Sequence, residues 1–354
     1  MSDTAALDVV RRVEEAPLGD LVRVSIDEVQ VQMDSYLDPD VDASSLYRRW
    51  EKQQWAVQDL DFSADTQQWM ALDEGQRETV RRTMILFFIG EQAVTDTLSP
   101  ILHAAPREDE RIFLATQIAD EARHTVFFQR FFDEVLGVQG GLAAALGAVG
   151  PEATAGFRTI FEHHLASAID LVRREPENRR AWVEAVVTYH IVIEGYLALG
   201  GQRSLLRFFR AVGMMPGFST GFTAVARDES RHIGYGVLAL RRRVREDPEL
   251  ARAITLKMLD LSDAAVQTVV NPDNLLRVGD PVGLPLPMRQ DPLEMRRFAL
   301  DQTAKRLRSI GLSDAAIEEV LRAYHGHYET YWRLYEQKQG VEHPVRWYQR
   351  QASA

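Results

Sequence analysis

Apolar residues recur at three- and four-residue spacing along most of this 354-residue chain, and that periodicity restricts it to helices. The stretch DEGQRETVRRTMILFFIGEQAVTDTLSPILH, from residue 73, carries Val80, Met84, Phe87, Phe88, Val94 and Leu98 at this spacing, with Asp73 placed to cap its start. Similar patterns run over about 107–135, 157–174, 178–212, 216–245 and 249–270, with two more between 293 and 338. No Val/Ile/Thr alternation bounded by hairpin turns interrupts them. The chain is predicted to be all-α.

Punctuation separates the helices. GVQGGLAAALGAVGPEATAG at 137–156 is Gly-rich and reads as a loop with one weak helix inside it. NPDNLLRVGDPVGLPLPMRQDP at 271–292 holds five prolines and cannot be helical for most of its length. The expected organisation is an N-terminal extension over 1–45, partly mobile, a helical core over 46–270, and a Pro-rich loop with a C-terminal helical appendage over 271–354.

Composition removes several classes of function. A net charge of -11 disfavours binding to a phosphate backbone, and the RRRVR cluster at 241–245 reads as a solvated helix end. With no cysteine there is neither a disulfide framework nor a thiolate metal site, so any metal must be held by His and carboxylates. The first residues lack a signal core, and no apolar run approaches the length of a membrane span. A cytoplasmic protein with no membrane span and no nucleic-acid partner is expected.

Within this helical frame the pentapeptide DEARH at 120–124 returns as DESRH at 228–232. On a helix, Glu121 with His124 and Glu229 with His232 each project from one face. A single Glu-x-x-His is a common accident, but two, each preceded by Asp and each with Arg before the His, point to two metal ions. Four positive charges in a buried site call for two further acids. Glu91 in LFFIGEQAV and Glu194 in HIVIEGYLAL are carboxylates among apolar neighbours. The order Glu, ExxH, Glu, ExxH on four long helices is the inward-facing set of a ferritin-like four-helix-bundle core, here with additional helices. Such hard donors suit iron or manganese and leave positions open for dioxygen. Asp120 and Asp228 are candidates to accept the second imidazole N–H. Gly195, Gly200 and Gly201 are costly inside a helix, and local unwinding or a π-bulge beside Glu194 would account for them.

The motifs GEQAVT, DEARH, YHIVIEG and DESRH, with the MMPGF turn between them, resemble the ribonucleotide reductase small-subunit superfamily over roughly 45–270. They look most like its ligand-binding oxidase branch, with a mixed manganese/iron centre. The resemblance implies that Glu91, Glu121, His124, Glu194, Glu229 and His232 hold manganese and iron, or two iron ions. It implies a long-chain fatty-acid-like ligand, dioxygen as oxidant, an electron donor, a homodimer, and an ether cross-link between Tyr189 and Val94.

Phe128 stands one turn after His124, where the resemblance places the radical tyrosine of a standard reductase subunit. The ending EHPVRWYQRQASA is basic rather than the acidic tail that docks a large subunit. Trp55 matches a tryptophan of both branches, as an electron relay or a packing residue. His163, His164, His190, His325 and His327 read as ordinary histidines. The leading expectation is a dioxygen-activating oxidase. The alternatives are a radical-generating reductase subunit and a ferritin-like metal store.

Overall fold

The computed structural model describes residues 3–77, 80, 81, 84, 90, 97–138, 155–270, 291–339, 343, 345, 346, 349 and 350. Among these residues there is no strand. Helices occur at Glu108–Phe131, Arg179–Val212, Pro216–Glu246, Leu250–Val269, Pro292–Ile310 and Asp314–Gln339, where the apolar periodicity places them. Side chains cap the starts of Arg179–Val212 and Pro292–Ile310. Asn178 accepts from the Ala181 amide at 3.0 Å, and Asp291 accepts from Leu293 with Pro292 opening the helix. Gly311, at φ 106°, closes Pro292–Ile310 in the left-handed conformation that glycine adopts freely. Residues 139–154 of the Gly-rich stretch and 271–290 of the Pro-rich stretch, together with Glu91 and Val94, fall outside the residues described.

The chain forms two compact units, each discontinuous in sequence: 1–153 with 202–238, and 154–201 with 239–354. The first unit is centred on aromatic rings. Phe62, Phe127, Phe128, Phe131, Phe209 and Phe218 are all buried there. Phe128 meets Phe222 edge-on at 5.7 Å, which fills the position one turn beyond His124. Asp65 caps the helix Pro216–Glu246 from outside, accepting the Gly217 and Phe218 amides at 2.8 and 2.7 Å. The segment 1–45 holds helices Asp3–Glu15 and Ile26–Ser35, with a capping box joining Ser25 and Glu28. Val13, Leu21 and Val29 are wholly buried, and Arg227 donates to the Ala16 carbonyl at 2.9 Å.

In the second unit, Leu250–Val269 packs against Asp314–Gln339 and against the segment that carries Glu194. The RRRVR cluster is solvated only in part: Arg245 is exposed, whereas Arg241 and Arg243 are buried. Arg241 donates to the Ser309 carbonyl at 2.7 Å, and Arg243, 1% exposed, lies over the Trp182 ring at 5.6 Å. A guanidinium is weakly hydrated and stacks flat, so it can be buried where an ammonium would not. The Tyr196 hydroxyl donates to that of Tyr328 at 2.7 Å. Arg179–Val212 is long and apolar enough to cross a membrane by length and composition. However, 78% of its most apolar window is buried inside the protein, as in a core helix.

Candidate metal centre

Glu121 and His124 come from Glu108–Phe131, and Glu229 and His232 from Pro216–Glu246. All four are at most 3% exposed. Ligand atoms of Glu121, Glu229 and His232 lie within 4.8 Å of one another. Both imidazoles turn Nδ1 toward both carboxylates. His124 Nδ1 is 3.6 Å from Glu121 and 3.5 Å from Glu229, and His232 Nδ1 is 3.3 Å from each.

The far nitrogens explain that orientation. His124 Nε2 lies 3.3 Å from Asp228, and His232 Nε2 lies 3.1 Å from Asp120. A carboxylate accepts, so Nε2 carries the proton and donates, and a neutral ring then presents its Nδ1 lone pair to the cluster. The support is crossed: each Asp serves the imidazole of the other pentapeptide. The two acids are tied together by two arginines. Arg231 reaches Asp120 at 3.1 Å and Asp228 at 2.5 Å, while Arg123 reaches them at 3.0 and 3.2 Å. Each Asp also accepts an indole N–H, from Trp50 at 3.0 Å for Asp120 and from Trp55 at 2.8 Å for Asp228.

Burial alone would raise the Glu121 pKa, but hydrogen bonds from His124 and His232 hold the carboxyl well below its ordinary range. Burial would also raise Asp228, and the Arg231 charge, followed by His124, keeps it ionised. Burial would lower His232. Hydrogen bonds to Asp120, Glu121 and Glu229 outweigh that and hold its proton well above the usual imidazole range. In the metal-free protein the cluster therefore pairs an imidazolium with carboxylates.

In the second unit, Glu194 is 4% exposed within a twelve-residue π-helix, Val187–Ala198. That agrees with the distortion expected at Gly195, whereas Gly200 and Gly201 lie in ordinary helix. Tyr189 is wholly buried in the same segment, edge-on to His190 at 4.8 Å. His164 and His327 pair with Asp260 and Asp263 at 3.5 and 3.1 Å, in keeping with ordinary histidines. Sequence reasoning missed Trp50, and it noted Arg123 and Arg231 only as letters of the repeat. Their signal was the repeat itself, which preserves the Arg as well as the ligand pair.

The residues present fit divalent ions. Two carboxylates and two inward Nδ1 atoms, stripped of water and backed by acids at Nε2, form a donor set that would be costly without a cation. The family model for the ribonucleotide reductase small chain matches residues 38–271. Among solved structures, the R2-like ligand-binding oxidase of Sulfolobus acidocaldarius is 24% identical, over 80% of this chain and 93% of its own, with a TM-score of 0.61. Two variants of an R2-like ligand-binding oxidase with an anaerobically reconstituted Mn/Fe cofactor are also similar. One is 24% identical over 78% of this chain and 96% of its own, with a TM-score of 0.65. The other is 23% identical over 78% and 95%, with a TM-score of 0.66. At these identities the likeness is one of fold.

Proposed function

The chain belongs to the ribonucleotide reductase small-chain family, and from that premise we propose that it is a dioxygen-activating oxidase with a dinuclear manganese/iron or di-iron centre. Its substrate is a bound hydrophobic, long-chain fatty-acid-like ligand, oxidised by two electrons. The observation that carries the reading is the pair of imidazoles whose Nδ1 atoms converge on Glu121 and Glu229 with an Asp behind each ring. Glu91 and Glu194 complete the ligand set, giving four carboxylates and two imidazoles. When bound, such a metal pair supplies electrons to dioxygen and coordination positions open to it.

The chain's own residues do the rest. Asp120 and Asp228 keep the proton on Nε2 and so keep Nδ1 turned inward. Burial excludes water. Phe128, in a phenyl cluster, cannot form a phenoxyl radical, which counts against the standard tyrosyl-radical subunit, while Tyr189 and Val94 count against the manganese/iron reductase subunits that also lack that tyrosine. Tyr189 and Val94 are the pair for an ether link, the tyrosine oxygen losing one hydrogen and the valine β-carbon another, with dioxygen as the oxidant that takes up both protons and the two electrons. The Mn/Fe cofactor of the ligand-binding oxidases above supports the same metal pairing here. An external electron donor restores the reduced centre, and the working form is a homodimer.

The test is anaerobic loading of the metal-free protein with Mn(II) and Fe(II), followed by metal counting and admission of oxygen. About two metals per chain and oxygen uptake by the protein alone are expected. Ribonucleotide reduction that needs a large subunit would move the chain to the reductase class. Loading of many iron ions per chain would move it to metal storage.

A further inference from the structure

The π-helix Val187–Ala198 must return to ordinary spacing at its end. The Leu199 amide donates to the carbonyl of Glu194, five residues back. From Leu199 onward the helix is α, so the Gly195 carbonyl lies in the turn where the spacing changes. At that turn Arg306 Nη1 donates to the Gly195 carbonyl. Arg306 is 1% exposed and belongs to Pro292–Ile310, a helix that packs along the π segment and lies beyond the residues matched by the family model. A side chain at position 195 would crowd the guanidinium. An added Cβ would stand 2.9 Å from Arg306 Nη1 and 3.0 Å from the His190 carbonyl oxygen.

The register matters because it sets direction. At about 100° per residue, Tyr189 and Glu194 would project about 140° apart on an α-helix. At roughly 4.4 residues per turn in the π form, the same five-residue separation brings them to about 50°. We infer that Arg306 is a positioning residue: by holding the Gly195 carbonyl it pins the π register that aims Glu194 and Tyr189. A C-terminal helix outside the matched region thereby governs the geometry of a metal ligand. The inference rests on the reading of Glu194 as that ligand.

The test compares the full chain as wild type, Arg306→Gln and Arg306→Lys. In metal-free protein, hydrogen exchange across 187–198 is expected to be faster in Arg306→Gln, with 108–131 unchanged and protection regained in Arg306→Lys. Co(II), added without oxygen because its visible spectrum reports coordination, should bind Arg306→Gln about ten-fold more weakly. Its spectrum should also change, and Arg306→Lys should recover the wild-type bands. Wild-type exchange over 187–198 in Arg306→Gln, or an unchanged cobalt spectrum and affinity, overturns the inference. Should Arg306→Gln not fold, Gly195→Ala, which displaces the guanidinium from the carbonyl, is read by the same two measurements. Wild-type protein that binds no cobalt overturns the metal reading, and the exchange comparison then decides the clamp alone.

Discussion

His232 Nε2 lies 3.1 Å from the Asp120 carboxylate, which belongs to the other pentapeptide, and His124 is matched with Asp228 in the same crossed way. Each acid therefore orients an imidazole on a neighbouring helix rather than its own. Asp120→Asn should weaken the ion held by His232 about 10–100-fold, and Asp228→Asn the ion held by His124. Stepwise metal titration checks this. Loss of the same ion from both variants would mean that the crossed pairing does not set metal affinity.

Metal loading should release protons. His232 is held above its ordinary pKa, so at neutral pH its Nδ1 is protonated in the metal-free protein and a cation must displace that proton. Affinity should rise with pH until the folded-state pKa is passed. The stability of the metal-free form should move the other way. The imidazolium contributes fully below the unfolded pKa, and its contribution is lost as pH rises through the folded one. Calorimetry in buffers of different ionisation enthalpy reads the proton count directly.

His124→Ala and His232→Ala should each lose metal while retaining helical circular dichroism, because the helices draw their stability from apolar faces elsewhere. Full two-metal occupancy in both variants would remove these residues from the ligand set.

Asp65→Ala should lower stability by about 1–2 kcal/mol. It removes the acceptor for the first amides of the helix that carries Glu229 and His232. Urea unfolding of the metal-free protein measures this, and a change within error would show that water replaces the cap.

Aerobic assembly with manganese and iron should join the tryptic peptides TMILFFIGEQAVTDTLSPILHAAPR and AWVEAVVTYHIVIEGYLALGGQR through Tyr189 and Val94. The linked species should be lighter than their sum by two hydrogens. Assembly without oxygen, or Tyr189→Phe in air, should yield the peptides separately. Separate peptides from metal-loaded, air-oxidised wild type would reduce the pair to core packing.

The sequence by itself determined the all-α class, the positions of the long helices from Glu108 onward and the placing of Glu121 with His124 and Glu229 with His232, because apolar period and three-residue spacing are local properties of a helix; it did not show the helices Asp3–Glu15 and Ile26–Ser35. It also flagged Gly195 as a cost that needed a distorted helix to explain it. Only the tertiary structure decided which Asp supports which imidazole, that Trp50 joins Trp55 in the acid network, and that Arg243 is buried against Trp182 rather than solvated. The same holds for Arg306 reaching the Gly195 carbonyl across more than a hundred residues of chain. These are contacts between helices. Their partners depend on how the rods are rotated and stacked against each other, which the period of any one helix does not encode.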